Sequence, residues 1–388
     1  MFHTTLSRAK HHPLRWVVLC VLPALFWGCN ERAAAVTEPR TSTLRQAYAG
    51  PQSTWPAATL DASVLALTDT LPRLVALERD MFPRPDRART DLGERLFFDP
   101  RLSASNQISC ASCHDPDLAW GDGRRQSFGH DRTQGLRNAP SLLNVSLWTS
   151  FFWDGRAPTL EEQVFGPLQD HKEMMEDLAG MERELNAIPE YVGAFKKAYG
   201  VTTITRDDVA RALADYERGI RSRRSRVDRF LDGDREALTE AELRGLHLFR
   251  TKARCLNCHH GPLLSDQLFH NSGQHLLGRP QQDLGRYYVT GDTADIGKFR
   301  TAMLRDIAYT DPYLHHGNIR ELREVLTMYN SGMPQIIPRH VRDTASIIPK
   351  HDPLFQPLGL DDGEMDDLLA FLEALSTRPR SVRIPDRY

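Results

Sequence analysis

The 388-residue chain carries almost no net charge: 49 Lys and Arg stand against 51 Asp and Glu, leaving −2 at neutral pH. Without a field of one sign, nothing recommends nucleic acid or an anionic membrane surface as a partner. Long apolar runs are also missing. The one candidate, over residues 16–27, is interrupted by Pro23 and falls short of the ~20 residues that span a bilayer. No succession of alternating strands appears, which argues against an all-β architecture. Cysteine is scarce, with six in the whole chain, so a disulfide-stapled miniprotein is excluded by length alone. What is present is ordinary: 40% apolar and 26% charged residues support a real core and no wholesale disorder. At ~150 residues per domain the length corresponds to two to three domains.

The N-terminal segment combines Arg8, Lys10 and Arg15 with the short apolar run and then small residues, the pattern of a secretory signal over residues 1–29. Three endings are open: a lipoprotein signal that leaves Cys29 as the lipidated first residue, plain cleavage near Ala33 to Ala35, or a retained N-terminal anchor. Each places the body of the chain outside the inner membrane, in the periplasm. Residues 30–77 show no firm period and read as a linker or loosely attached arm. With Cys20 and Cys29 in the leader, four cysteines remain for the body.

Those four stand as Cys110-Ala-Ser-Cys113-His114 and Cys255-Leu-Asn-Cys258-His259. Both are Cys-x-x-Cys-His, the attachment pattern of c-type haem. Two thiols one helical turn apart can add to the two vinyl groups of one porphyrin, and the following imidazole then meets the iron as its proximal ligand. The alternatives are weaker. Zinc ribbons keep their knuckles ~15–20 residues apart, whereas 142 residues separate Cys113 from Cys255; a redox dithiol needs no His after both pairs.

The 145-residue offset between Cys110 and Cys255 predicts two similar, mainly α haem domains, 78–235 and 236–388, with a junction near 232–240. Thr205 caps a run that carries Val209, Leu213, Tyr216 and Ile220 on one face. Thr239 and Glu242 form a capping-box pattern leading into the second attachment site. Leu368, Leu369, Phe371, Leu372 and Leu375 make a last apolar stripe. The basic run Arg221-Ser-Arg-Arg-Ser-Arg226 reads as a solvated helix end, or as a docking surface for an acidic electron donor.

Between these landmarks the chain resembles the bacterial di-haem cytochrome c peroxidases, a family that includes the MauG-type enzymes. The resemblance runs from about residue 78 to 377. It is carried by Leu92-Gly-Glu-Arg-Leu-Phe-Phe-Asp-Pro-Arg-Leu102, Ile108-Ser-Cys-Ala-Ser-Cys-His-Asp-Pro116, Arg137-Asn-Ala-Pro-Ser141, Phe152-Trp-Asp-Gly-Arg156, Ser225-Arg-Val-Asp-Arg-Phe-Leu231 and Pro312-Tyr-Leu-His-His-Gly317. It implies two cytochrome c-like domains, with peroxide reduced at the first haem and electrons passed through the second. On the open face of the first haem it implies Gln163 and Glu173. A carboxylate there can move a proton between the peroxide oxygens, and a Gln amide can donate a hydrogen bond to them. It implies His130 as a removable distal ligand, although a loop histidine without a role has the same sequence signature. Trp153 matches the tryptophan between the haems, a stepping point for electrons, or else a core residue. Asn138, with the main-chain carbonyls of Thr310 and Pro312, matches a calcium site, and oxygen ligands suit that cation.

One departure bears on the chemistry. The peroxidase branch places a Met opposite the second proximal His, which raises the potential. Here the matching position, 14 residues after His315, is Tyr329. Met328 is its neighbour, ~100° away round a helix, and Met333 follows. The wording Met328-Tyr-Asn-Ser-Gly332 resembles the MauG-type branch, in which tyrosine is the ligand. His316, Ala302 and Asp306 are smaller departures. The expected reductant is a small periplasmic cytochrome c or cupredoxin. The alternatives are peroxide-dependent oxidation of a partner protein's side chains, or a di-haem electron carrier without enzymatic activity. A homodimer is left open, and no nucleic acid is expected.

Overall fold

Helices with well-placed caps build most of the chain in the computed structural model, which describes residues 41–384 apart from 68, 69 and 346. The predicted starts are real. Thr205 accepts from the Asp208 N–H and caps the helix Arg206–Glu217, and Thr239 and Glu242 cap each other at the head of Glu240–Arg250. These bonds satisfy amide donors that a helix N-terminus otherwise leaves unpaired. The helix Arg206–Glu217 stops before Ile220, the last residue of the predicted face, although Ile220 is still buried. Among the described residues the strand content is one short antiparallel pairing of Phe269–His270 with Phe299–Arg300.

The apolar faces collapse into two cores. The first gathers Arg87–Phe97, Leu160–Gln169, Leu178–Asn186, Pro189–Tyr199 and Arg206–Glu217 around Leu96, Phe97, Phe195 and Val209. The second gathers Thr41–Ala47, Arg226–Leu231, Glu240–Arg250, Leu322–Asn330 and Asp362–Ala374 around Leu243, Leu246, Phe249 and Phe371. The changeover falls between Ile220 and Val227.

Each core is organised by one close helix crossing, Arg87–Phe97 on Arg206–Glu217 and Glu240–Arg250 on Asp362–Ala374. Both use the same device. A Cβ on Gly93 would collide with the Ala212 carbonyl and stand 2.7 Å from the Tyr216 Cβ. A Cβ on Gly245 would collide with the Asp367 carbonyl and stand 2.6 Å from the Phe371 Cβ. Only glycine permits this backbone approach, and each glycine is followed three and four residues later by Leu-Phe, at Leu96-Phe97 and Leu248-Phe249.

Residues 41–77 correct the expectation of a loose arm. Leu44, Tyr48, Trp55 and Leu74 are buried in the second core. The Tyr48 hydroxyl lies 2.9 Å from His247 Nδ1 and accepts from Arg250 at 3.0 Å, while the Arg250 guanidinium stacks 5.2 Å over Trp55. Asn257, inside the second attachment motif, accepts from the Asp61 N–H at 2.7 Å and donates to the Thr59 carbonyl at 3.0 Å. The arm therefore clamps the turn that carries Cys255 and Cys258. Of its anchors Leu44 lies in the short helix Thr41–Ala47 and the others in turns and loops, so no sustained helical or strand period announced them.

Candidate active site

Each Cys-x-x-Cys-His motif opens on a single tight helical turn, Cys110–Ser112 and Cys255–Asn257. The His114 N–H donates to the Cys110 carbonyl at 3.0 Å, and the His259 N–H to the Cys255 carbonyl at 2.8 Å. Each imidazole is then fixed from behind. His114 Nδ1 lies 3.0 Å from the Trp120 carbonyl and His259 Nδ1 lies 2.9 Å from the Leu264 carbonyl. A carbonyl can only accept, so Nδ1 carries the proton and Nε2 is left with its lone pair free for iron. Burial lowers the pKa of both rings, which keeps them neutral and ligand-ready.

The sulfurs fit porphyrin attachment better than redox chemistry. None of the four is paired with another. A reactive dithiol needs a thiol with a lowered pKa. Here burial pushes all four upward, Cys113 to about 11 and Cys255 to about 12.

Cys110, Cys113 and His114 line a cavity of about 880 Å³, at the upper end of the range for small-molecule and cofactor sites. Its wall also carries Arg300, whose guanidinium stacks 3.6 Å over Trp148 and donates to the Ser150 carbonyl. Among the described residues no carboxylate forms an ion pair with it, and desolvation outweighs the more distant Asp154 and pushes its pKa down. A half-buried cation with no carboxylate in direct contact suits a group that brings carboxylates of its own, as haem does with its propionates. The residues present therefore fit the haem that the motif calls for.

The structure brings Gln163, Glu173, Trp153, Asn138, Thr310 and Pro312 to this same cavity. Gln163 projects from Leu160–Gln169, which Thr159 caps. Glu173 lies just beyond it, and burial together with the nearby Asp170 carboxylate pushes its carboxyl up to about 7, against the pull of Arg156. Trp153 donates from its indole to the Asn138 carbonyl at 3.0 Å, and its ring lies 6.4 Å from that of His315. Gly155, two residues on, turns with φ +69°, and a Cβ there would collide with the Phe269 ring. Asn138 also donates to the Arg124 carbonyl at 2.8 Å.

His130 is placed differently. It does not line the cavity wall, its Nε2 lies 3.5 Å from Asp131, and its Nδ1 is buried without a partner. Its N–H donates to the Glu173 carbonyl at 2.8 Å. That approach depends on Gly129, where a Cβ would stand 2.5 Å from the Glu173 Cα.

At the second attachment turn the structure supplies Tyr329 from Leu322–Asn330. It lies close enough to Cys255 and Cys258 to feel both sulfurs, its ring is 5.8 Å from Phe355, and burial pushes its hydroxyl pKa up. Met333 is fully buried in the following loop, and Met328 is half-buried. Beside them stands a group that sequence reasoning missed. His270 is held between Asp352, 2.6 Å from Nδ1, and Asp266, 2.9 Å from Nε2. Cys258 Sγ, Asp266 and His270 converge within 4.8 Å. The signal was not visible because 82 residues separate His270 from Asp352. Asp306, one of the departures, ties Ser222 to Thr377, whose N–H donates to it at 2.8 Å. His316 is buried, and its pKa falls to about 4 through desolvation and the nearby Arg125.

A family model described as di-haem cytochrome c peroxidase matches residues 87–236. A cytochrome-c peroxidase, IdrP1, of Pseudomonas sp. (strain SCT) is 37% identical over 314 residues, 74% of this chain and 80% of that one. The methylamine utilization protein MauG of Methylophilus methylotrophus is 34% identical over 322 residues, 79% of this chain and 91% of that one. The crystal structure of a MauG-like protein associated with microbial copper homeostasis superimposes with a TM-score of 0.67 at 31% identity, covering 79% of this chain and 93% of that one.

Proposed function

Because the chain belongs to the di-haem cytochrome c peroxidase family, and is thereby a peroxidase-type oxidoreductase carrying two c-type haems, we propose that it reduces hydrogen peroxide at the site built on Cys110, Cys113 and His114. Electrons arrive by way of the site on Cys255, Cys258 and His259. The observation that carries this reading is the pairing of Gln163 with Glu173 in the first cavity, the latter with its carboxyl pushed up to about 7. When bound, the haem supplies the redox centre that meets peroxide oxygen and delivers its electrons.

The side chains supply the rest. The reaction is H2O2 + 2H+ + 2e− → 2H2O, so protons must reach the leaving oxygen. Glu173 takes a proton from the inner peroxide oxygen and returns it to the outer one, and a pKa near the working pH serves both halves of that transfer. Gln163 donates its amide N–H to the oxygen that gains charge. Trp153, held by its bond to the Asn138 carbonyl and lying beside His315, relays electrons between the two halves. Calcium belongs with the Asn138 side chain and the Thr310 and Pro312 carbonyls, which share the cavity wall.

A second reading is favoured by one residue. Tyr329 beside Cys255 and Cys258 would hold the second iron oxidised at low potential, which suits withdrawing electrons from a partner protein's side chains. The same haem site serves both readings, and the reductant distinguishes them: a small periplasmic electron carrier or a protein substrate. Export to the periplasm belongs to this proposal; its signal, with Cys29, lies outside the described residues. No helix among the described residues is long and apolar enough to cross a membrane.

Low-temperature EPR of the ferric holoprotein, followed by peroxide, tests the proposal. One high-spin haem that reacts within seconds is the expected result; two inert low-spin haems would overturn it. Tyr329→Phe is expected to abolish or shift the low-spin signal of the second haem. An unchanged spectrum rejects the tyrosine ligand.

A further inference from the structure

The chemistry above uses one glutamate of the first cavity, and a second one stands there. Glu217 is the last residue of Arg206–Glu217, is 5% exposed, and lines the same cavity as Cys110, Cys113 and His114. Its Oε2 is buried with no hydrogen-bond partner among the described residues. It is near enough to Cys110 for the thiol to feel its charge, which places it beside a sulfur through which the haem is attached.

The charges facing Glu217 offer it no dedicated counter-ion. Arg218, the adjacent cation, donates to the Glu161 carboxylate at 2.7 and 2.9 Å and to Asp215 at 3.2 Å. Glu161, from the neighbouring helix Leu160–Gln169, repels it. Tyr216 precedes it on its own helix and also faces Glu94 of Arg87–Phe97. Burial and this repulsion outweigh Arg218 and push the carboxyl up to about 8. An isolated buried carboxylate is costly, so the charge state of the neighbouring iron weighs heavily on whether this group ionises. An oxidised iron carries one more positive charge than a reduced one and favours the carboxylate.

We propose that Glu217 is the redox-linked proton site of the first haem: its carboxylate takes up one proton when that haem gains one electron, and releases it when the electron leaves. The balance is one electron from an external one-electron reductant and one proton from solvent. The O–H bond formed is on Glu217, and the iron is what is reduced. The coupling is reciprocal: whatever the oxidised iron does to the carboxyl's proton affinity, the carboxylate does to the haem's electron affinity. In function, the electron reaches the peroxide site with a proton already alongside. The inference needs only the attached haem and does not depend on how peroxide is cleaved.

The test is the reduction potential of the first haem in purified holoprotein, followed spectroelectrochemically from about pH 6 to about pH 9.5. Full coupling is a tenfold change in the redox equilibrium per pH unit, about 59 mV for a one-electron couple. The wild type is expected to approach that slope through the window in which Glu217 titrates. Glu217→Gln is expected to flatten it and hold the potential near the wild-type acid value. Glu173→Gln, which removes the other raised carboxyl of the cavity, is expected to keep the slope. A flat wild type, a slope that persists in Glu217→Gln, or one that disappears in Glu173→Gln overturns the assignment. Should Glu217→Gln fail to load haem, reduction-minus-oxidation infrared spectra of Glu173→Gln holoprotein decide. A deuterium-sensitive protonated-carboxyl band gained on reduction supports the proposal, and its absence rejects it.

Discussion

Glu173 owes its raised pKa to surroundings and not to residue type. A glutamate on a surface helix titrates near 4.3; this one, buried in the first cavity beside Asp170, is pushed up to about 7. In the proposed mechanism it enters the reaction as a base, so kcat/KM for peroxide is expected to rise with pH through about 7 and to level off above. In Glu173→Gln that inflection should vanish, and turnover should fall by about 10²–10⁴-fold, while haem content by absorbance stays at the wild-type level. A variant with unchanged peroxide kinetics would remove Glu173 from the mechanism. The position of Glu173 was legible only through the family resemblance, because Glu173 carries no motif of its own. The two Cys-x-x-Cys-His motifs were legible directly, since thioether formation and iron ligation call for a fixed local spacing. Arg300 was not legible at all: its significance is a missing partner, and a sequence does not show what a side chain fails to touch.

At the scale of elements, the two cores repeat one construction. A glycine-centred helix lies against a later helix, and the attachment turn follows the first of the pair. Because a Cβ at Gly93 would meet the Ala212 carbonyl, and at Gly245 the Asp367 carbonyl, Gly93→Ala and Gly245→Ala are each expected to destabilise the protein by about 1–3 kcal/mol through overpacking. Thermal unfolding followed by circular dichroism measures this. A gain in stability, as expected for Gly→Ala at an uncrowded helix site, would show that the crossing is looser than described. The caps at Thr205 and Thr239 and the apolar stripe near the C-terminus were legible because helix formation is local. The linker reading of 41–77 failed for the complementary reason. Tyr48 and Trp55 are buried by partners such as His247 and Arg250, about 200 residues away.

At the scale of the whole molecule, remote segments meet at ionic knots, and two of these among the described residues bear on the second core. Arg305, 2% exposed, spans Asp228 at 2.9 and 3.0 Å and reaches the Val75 carbonyl at 2.7 Å, so it fastens the arm to the second core. The other knot is His270 between Asp266 and Asp352 beside the second attachment turn. Hydrogen bonds and the charges of both carboxylates raise the imidazole to about 9 in spite of its burial. A folded pKa above the unfolded value of about 6.5 means the contribution is fully present below about pH 6.5 and is lost as pH rises through about 9. The melting temperature is therefore expected to fall between those limits, and His270→Gln should flatten that fall; an equal pH dependence in the variant would reject the knot's role. The sequence by itself determined the two Cys-x-x-Cys-His motifs and the helical class, because each depends on residues within a turn or two of one another. Only the tertiary structure decided that the arm clamps the second attachment turn, that Gln163, Glu173 and Trp153 share one cavity while His130 does not line it, and that Glu217 and Arg300 stand there with no ion pair of their own. Those facts concern distance and burial between remote segments, and packing sets both.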